Sequence, residues 1–213
     1  MHEQDTPSAG STDALNARNG KDAKDATVAE DAGRGRRPPP RVSPTGLERQ
    51  ALRHLDRHPS SVENLRRVLA RRADKSCEHH GDDRRDAEAM ITAVIAKLVA
   101  SGTLDDRAYA AALAHRMRAR GASTRRIAAR LHEKGVPAEV ARTALGAETD
   151  ARRADATAAR IYARRRRLGP HRLDPSERAE RRERDLAALA RAGFGRATAT
   201  AAIDEARDDA PTP

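Results

Sequence analysis

The chain contains few aromatic residues and a single cysteine. Among its 213 residues there is no Trp, one Phe and two Tyr, so ring side chains cannot build a thick hydrophobic core. Ala, Leu, Ile and Val supply the apolar content instead, and Ala and Arg are strong helix formers, which favours an all-helical protein. Because Cys77 has no second cysteine to pair with, no intramolecular disulfide can form, and a reducing compartment is the simplest setting.

Long apolar segments and catalytic signatures are also missing. The N-terminal sequence MHEQDTPSAG lacks the apolar stretch of a signal peptide, and no run approaches the roughly 18 apolar residues of a membrane span. We therefore expect a cytoplasmic protein that does not contact a membrane. No Walker, Rossmann or nucleophile-elbow pattern occurs, which predicts a protein that is not an enzyme and binds no cofactor.

What the chain has in excess is positive charge. It carries 42 Lys and Arg against 32 Asp and Glu, a formal net charge of +10, and nearly all the basic residues are Arg. A coding bias towards G and C is one explanation of the Arg excess, yet the resulting field still favours an acidic partner. Basic and acidic residues are equal in number in residues 1–45, so the whole excess lies in the remaining chain.

Composition and periodicity divide the chain into five segments. Residues 1–45 have almost no bulky apolar side chains and are predicted to be a disordered N-terminal tail, and the short end at 208–213 is also predicted to be disordered. Between them, helix starts and breaks recur in three groups, at residues 46–104, 105–149 and 150–207.

In the first group, Leu47, Leu52 and Leu55 share a helix face, and Pro59 ends that helix. Ser60 and Glu63 have the spacing of a capping box, which predicts that a second helix starts there. The clearest amphipathic pattern, at i, i+3, i+4, i+7 and i+8, is formed by Ile91, Val94, Ile95, Leu98 and Val99.

The second and third groups follow the same scheme. Asp105 is predicted to cap a helix that Gly121 ends, Ser123 caps the next, and Pro137 begins a short third helix. A long helix that Gly169 ends opens the third group, with an apolar face of Ala154, Ala158, Ile161 and Tyr162.

A weak internal repeat supports this division. Five residues of the second group match five residues of the third group at a constant offset. Leu131, Gly135, Val136, Ala144 and Leu145 correspond in order to Leu189, Gly193, Phe194, Ala202 and Ile203. Short helices of this kind bury their faces partly against neighbouring repeats. The predicted fold is therefore all-α, an elongated tandem array of three three-helix repeats with a disordered N-terminal tail.

Two polar clusters invite a metal-binding or catalytic interpretation. Cys77, His79 and His80 could bind a metal, but a structural zinc site needs a second ligand pair, so we predict no metal site and a solvated loop. Asp105 and Asp106 place two carboxylates side by side, yet acidic residues at a helix N-terminus ordinarily cap main-chain amides. No catalytic residue is therefore assigned.

Arginines at helical spacing are the candidates for binding a partner or phosphate. They are Arg116, Arg120, Arg126, Arg130, Arg153, Arg160, Arg164, Arg165, Arg166 and Arg167. Four of them are predicted to share one face of the long helix and define a cationic rail: Arg153, Arg160, Arg164 and Arg167. A single arginine is as readily a solvated charge, but the rail as a whole favours a polyanion, because each phosphate contact would add salt-dependent affinity.

A helix-turn-helix interpretation of residues 123–145 fails on two positions. Leu131 stands four residues before Gly135, where close packing of the two helices needs a small side chain. Arg142 is the only long basic residue of the recognition helix that this interpretation requires. Sequence-specific DNA binding is therefore not predicted.

The order of these motifs resembles the RecX family of bacterial recombination regulators. The resemblance covers residues 47–206 and rests on Ala51-Leu52 through Leu65 and Leu69, on Gly102-Thr103-Leu104-Asp105-Asp106-Arg107-Ala108-Tyr109-Ala110, on Ile127 to Gly135-Val136, and on Leu189 to Gly193-Phe194. It implies tandem three-helix repeats that bind the RecA filament on single-stranded DNA and restrain RecA activity. The long tail and the polar insertion at residues 74–83 depart from the family pattern, and the family supplies no catalytic residues.

These features predict a non-enzymatic regulator, expected to be a monomer, that binds the RecA filament and the single-stranded DNA in or near it. It would modulate RecA, most simply by inhibition, in recombination, DNA repair and the SOS response. A general electrostatic nucleic-acid-binding protein without RecA dependence is the alternative, and a helical scaffold kept soluble by its charge is a third. Scarce aromatic residues argue against single-strand binding by base stacking, which leaves an electrostatic mode.

Overall fold

A computed structural model describes residues 38–205, and this part of the chain contains helices and turns but no strand. The helices are α1 (Pro44–Arg57), α2 (Val62–His80), α3 (Arg84–Ala100), α4 (Asp106–Ala119), α5 (Thr124–Glu133), α6 (Ala138–Leu145), α7 (Glu148–Arg166), α8 (Glu177–Arg191) and α9 (Arg196–Asp204), with a short 3₁₀ helix at Gly169–His171. The predicted all-α class is confirmed. The disorder predicted for residues 1–45 and 208–213 falls outside the described residues, except that 38–43 lack regular structure and α1 begins at Pro44.

The helices build three hydrophobic cores, each from three consecutive helices. The core of α1–α3 includes Leu47, Leu65, Leu69, Ile91 and Leu98. The core of α4–α6 includes Tyr109, Ala110, Ile127, Leu131 and Val136. The core of α7–α9 includes Ala158, Ala159, Leu189, Phe194 and Ile203. Leu131 and Leu189, which match in the internal repeat, therefore occupy the same place in successive groups, the middle helix of three.

One predicted helix cap is wrong by one residue. Ser61, not Ser60, is the N-cap of α2, and its hydroxyl accepts a hydrogen bond from the Asn64 amide at 3.2 Å. The Ser60 hydroxyl accepts instead from the Asn64 side chain, and the Glu63 carboxylate pairs with Arg67 at 3.0 Å. The capping box is therefore absent, although the predicted helix begins within two residues of the expected position.

The predicted caps of the second group are confirmed. The Asp105 carboxylate accepts two main-chain amides of α4 at 2.7 and 3.3 Å, and the Ser123 hydroxyl accepts the Arg126 amide at 3.3 Å. Pro137 stands one residue ahead of the first helical residue, Ala138. Side-chain hydrogen bonds thus cap α4 and α5, whereas α6 follows Pro137 without a side-chain cap.

The polar segment at residues 74–83, predicted as a solvated loop, is mostly helical. Helix α2 continues through it and ends at Gly81, which has a left-handed φ of +71°. Cys77 is buried in the first core, and the Ser76 hydroxyl donates to the Pro40 carbonyl at 2.9 Å. Only small residues lie on the inward face of this extension. The hydrophobic periodicity therefore did not reveal that the helix continues.

A hydrogen-bonded joint connects the first and second helix groups. The fully buried hydroxyl of Ser61 donates to the carbonyl of Lys134, the residue that ends α5. The Val62 amide donates to the Asp106 carboxylate at 2.8 Å. Burial at this joint raises the pKa of Asp106 above its usual value, against the opposing effect of the Val62 hydrogen bond. The cap of α2 therefore serves a tertiary contact as well as its own helix.

The second joint repeats this arrangement between the second and third groups. The fully buried hydroxyl of Ser123 donates at 2.8 Å to the carbonyl of Ala192, the residue that ends α8. The Thr124 amide donates to the Asp155 carboxylate at 2.7 Å. A Cβ atom on Gly193 would stand 2.5 Å from the Ser123 hydroxyl oxygen. Close approach at the joint thus accounts for the glycine at this point of the internal repeat.

Removing the second joint's hydroxyl with Ser123→Ala is expected to lower the free energy of unfolding by about 1–3 kcal/mol, because the Ala192 carbonyl and the Arg126 amide lose a buried partner. Urea denaturation followed by circular dichroism measures the change. The control is Ser101→Ala, since Ser101 is exposed and bonds only within its own turn; we expect less than about 0.5 kcal/mol there. Equal losses in the two variants would contradict a special role for Ser123.

A buried ion pair lies in the third helix group, at the connection between α7 and α8. The Asp185 carboxylate, on a residue only 1% exposed, accepts the Gly169 amide at 2.9 Å and two guanidinium nitrogens of Arg172 at 2.9 and 2.5 Å. The same guanidinium lies 3.3 Å from Glu177. These contacts raise the pKa of Arg172 above its usual value, and the hydrogen bond to Asp185 is the largest cause. The pair therefore holds the 3₁₀ turn that connects α7 to α8.

Candidate nucleic-acid interface

Arginine side chains converge on a cleft where the end of α4 meets α7. The cleft has a volume of about 460 Å³ and is lined by Met117, Arg120, Gly121, Ala122, Arg126, Tyr162, Arg165 and Arg166. We call this site the arginine cleft. Its four guanidinium groups come from the end of α4, the start of α5 and the end of α7, so the site exists only when the second and third groups are packed together.

Gly121 brings these helices into contact. It is buried and has a left-handed φ of +78°, a conformation that glycine adopts without steric cost. A Cβ atom there would stand 2.8 Å from the Tyr162 amide nitrogen and 3.0 Å from the Ala158 carbonyl oxygen, so the turn packs directly on the α7 backbone. The Arg165 guanidinium then reaches the Arg120 carbonyl and donates a hydrogen bond to it at 2.7 Å.

Within residues 38–205, no carboxylate neutralises the charges of the arginine cleft. Among residues 38–205, none of its four arginines lies within ion-pair distance of an Asp or Glu, whereas neighbouring arginines do. Arg130 pairs with Glu133 at 2.6 Å, and Arg160 pairs with Glu205 at 2.9 Å. The hydrogen bond from Arg130 also holds the pKa of Glu133 below its usual value. Unpaired guanidinium groups that share a small volume repel one another, and a bound phosphate would relieve that repulsion.

Tyr162 is the aromatic residue of the cleft. Its ring packs at a steep angle against the ring of Phe194, with the centroids 5.9 Å apart, and the Arg166 guanidinium carbon lies 5.8 Å from the Tyr162 centroid. The sequence predicted Tyr162 only as part of an apolar helix face. No spacing within one helix could show that the ring lies beside arginines of α4 and α5, so sequence reasoning missed it as a site residue.

The other predicted arginines lie outside the cleft. Arg116 is exposed on α4, and Arg153 and Arg164 are exposed on α7. Arg167 follows α7 with a left-handed φ of +54°. Of the ten candidates, the structure thus brings together Arg120, Arg126, Arg165 and Arg166, and no member of the cationic rail is among them. A part in binding stays a prediction for all ten.

A second basic groove, which the sequence did not single out, lies on the first helix group. It has a volume of about 130 Å³, and its lining includes Arg41, Arg49, Arg53 and Arg72. Arg41 lies 3.9 Å from the Asp82 carboxylate, and no aromatic side chain lines the groove. The arginine cleft is larger and includes an aromatic ring, and its arginines have no carboxylate partner in the described part of the chain, so it is the better candidate of the two for a binding site.

Neither a metal-binding cluster nor a membrane-spanning helix is found in the described part of the chain. Residues 38–205 contain no group of three or more His, Cys, Asp and Glu placed to hold a metal ion. Nor does any helix from α1 to α9 have both the length and the apolar character needed to cross a membrane.

Known proteins resemble this chain over most of its length. Residues 105–145, which span α4–α6, match the family model described as RecX, second three-helix domain. Regulatory protein RecX of Myxococcus xanthus (strain DK1622) is 50% identical over 171 residues, which cover 80% of this chain and 91% of that protein. Regulatory protein RecX of Agrobacterium fabrum (strain C58) is 34% identical over 145 residues, 68% of this chain and 74% of that protein.

No solved structure matches the chain, so the family assignment depends on sequence similarity together with the helical fold. The matched region contains Arg120, Gly121 and Arg126 and therefore includes one side of the arginine cleft. With half of the aligned residues identical to a regulatory protein that this chain covers almost end to end, the chain belongs to the RecX family.

Proposed function

We propose that this protein is a non-enzymatic regulator that binds the RecA nucleoprotein filament and inhibits RecA in recombination, DNA repair and the SOS response. Similarity to Regulatory protein RecX of Myxococcus xanthus supports the regulatory role, and the family resemblance supplies RecA as the partner. The observation that carries the proposal is the arginine cleft, whose four guanidinium groups have no carboxylate partner among residues 38–205. Such a site suits a polyanion, and the RecA filament contains one, its single-stranded DNA.

The mechanism follows from binding to both components of the filament. The arginine cleft contacts the DNA phosphates, and each phosphate that replaces counterions adds salt-dependent affinity. Other surfaces of the three helix groups contact RecA. Because a ligand shifts a conformational equilibrium towards the state that it binds more tightly, the regulator favours a filament that cannot extend. It acts as a cytoplasmic monomer and needs no metal or cofactor.

A general nucleic-acid-binding protein is the second candidate. The arginine cleft favours it equally, because guanidinium groups bind phosphate whether or not RecA is present. The two candidates differ in what determines the protein concentration needed for an effect. A filament regulator responds to RecA, whereas a general binder responds only to the amount of exposed nucleic acid.

The two functions can be separated by titrating the protein into RecA that hydrolyses ATP on single-stranded DNA at fixed moderate salt. Binding to the same DNA without RecA is measured in parallel. A filament regulator suppresses hydrolysis at concentrations about tenfold or more below those that coat bare DNA, a difference of roughly 1.4 kcal/mol or more in binding. Suppression only at DNA saturation would favour the general binder, and unchanged hydrolysis at saturating protein would contradict RecA regulation.

A further inference from the structure

The arginine cleft combines four guanidinium groups with one aromatic ring. A site for phosphate alone needs no ring, whereas Tyr162 is partly exposed and lines the cleft. We propose that the cleft binds one nucleotide unit of single-stranded nucleic acid, with its base stacked on Tyr162 and the flanking phosphates on the arginines. This inference rests on the proposed function and names the ligand of its site.

The Tyr162 ring is held in place before any ligand binds. Phe194, buried in the third core, packs against it with the centroids 5.9 Å apart. Tyr162 belongs to α7, and the close contact between Gly121 and its backbone fixes that helix against the end of α4. A ring fixed in this way loses little conformational freedom when a base stacks on it, which favours binding.

One arginine lies over the ring, and the other three line the same cleft. Arg165 is oriented by its hydrogen bond to the Arg120 carbonyl at 2.7 Å, and the Arg166 guanidinium carbon lies 5.8 Å from the Tyr162 centroid. Arg126 enters from the start of α5. Phosphates on both sides of a stacked base would therefore meet guanidinium groups from different helices. The volume of about 460 Å³ lies in the range of roughly 300–1,000 Å³ that is typical of small-ligand sites.

This chemistry favours a single nucleic-acid strand over an acidic protein segment or a duplex. Aspartate and glutamate offer charge to the arginines but no aromatic ring to stack on Tyr162. A duplex keeps its bases stacked on one another, whereas the bases of a single strand are free to stack on aromatic side chains. Scarcity of aromatic residues excludes a long row of stacked bases, but one fixed ring suffices for one base.

Tyrosine fluorescence tests the stacking directly. The chain has no Trp and two Tyr, and Tyr109 is buried in the second core, so Tyr109→Phe leaves Tyr162 as the only emitter. Oligothymidylate of about 12 nucleotides is expected to quench this emission by about half or more, whereas an abasic strand of equal length and inorganic polyphosphate bind without quenching. Equal quenching by the abasic strand, or none by oligothymidylate at saturation, would overturn the proposal.

Affinity measurements give a second readout. Tyr162→Leu is expected to weaken oligothymidylate binding about tenfold and to leave abasic-strand binding unchanged. Tyr162→Phe keeps the ring, so it is expected to change the affinity for either strand by less than about twofold. Unchanged oligothymidylate binding by a folded Tyr162→Leu variant would refute the stacking. A polyglutamate peptide that binds the protein more tightly than oligothymidylate would identify the partner as an acidic protein segment instead.

The same protein preparation separates this inference from the proposed function. If RecA hydrolysis is suppressed at low concentration but the Tyr162 emission does not respond to oligothymidylate, the nucleotide site is wrong and RecA regulation stands. If the emission is quenched but hydrolysis is unaffected, the nucleotide site stands and RecA regulation is wrong.

Discussion

Replacing Asp185 with Ala will lower the free energy of unfolding of the third helix group by about 3–5 kcal/mol. The carboxylate is 1% exposed and binds both the Gly169 amide and the Arg172 guanidinium. Removing Asp185 leaves the Gly169 amide without this acceptor and leaves Arg172 with only its contact to Glu177, and losses of this size are typical when one member of a buried pair is removed. In a chain of this length the midpoint temperature should fall by about 10 °C, which differential scanning calorimetry measures directly.

Asp174→Ala is the matched control for Asp185→Ala. Asp174 lies in the same connection between α7 and α8, but it is exposed and accepts hydrogen bonds only from Ser176, at 2.8 and 2.7 Å. Those bonds hold the pKa of Asp174 below its usual value. We expect its loss to leave the midpoint temperature of unfolding nearly unchanged, because the group is exposed. If the two variants unfold at the same temperature, Asp185 does not anchor the third group.

Reversing the charge of Arg126, Arg165 and Arg166 to Glu is expected to weaken binding to single-stranded DNA about 100-fold or more at moderate salt. Three phosphate contacts would be lost and three repulsive charges added. The slope of log affinity against log salt should also fall by about 2, because each neutralised phosphate of a single strand contributes roughly 0.7. Fluorescence anisotropy with a labelled strand at several salt concentrations measures both quantities, and inhibition of RecA should weaken in parallel.

A second triple variant distinguishes binding at the arginine cleft from the effect of the overall net charge. Arg85, Arg191 and Arg196 are exposed on α3, α8 and α9, and reversing them changes the net charge by the same amount. If the arginine cleft carries the binding, this variant should lose about tenfold or less, through long-range electrostatics alone. Equal losses in the two triple variants would show that the overall field, rather than the cleft, determines affinity.

Helix starts were largely predictable from sequence because caps act over a few residues. Asp105 and Ser123 each accept amides within three positions, and the structure confirms both. The choice between Ser60 and Ser61 was not predictable. Both side chains can cap α2, but only Ser61 also meets the carbonyl of Lys134, 73 positions away. The tertiary contact therefore favours Ser61 as the cap.

The arginine cleft was predictable only in its parts. Arg120 and Arg126 were candidates because of their i, i+4 spacing to other arginines, and Arg165 and Arg166 because they adjoin the cationic rail. Their convergence depends on the Gly121 turn, which packs on the α7 backbone, and no pattern within one helix contains that information. The same turn places Tyr162 in the cleft, so the ring and the arginines could be joined into one site only from the tertiary structure.

The central claim is that the target is the RecA filament rather than bare nucleic acid. The most direct measurement is the concentration of protein that half-saturates a labelled single strand, compared between the bare strand and the same strand coated with RecA and a slowly hydrolysed ATP analogue. We expect half-saturation of the coated strand at a concentration about tenfold or more below that of the bare strand, which corresponds to roughly 1.4 kcal/mol or more of added binding from RecA contacts. Equal or weaker binding to the coated strand would contradict the claim.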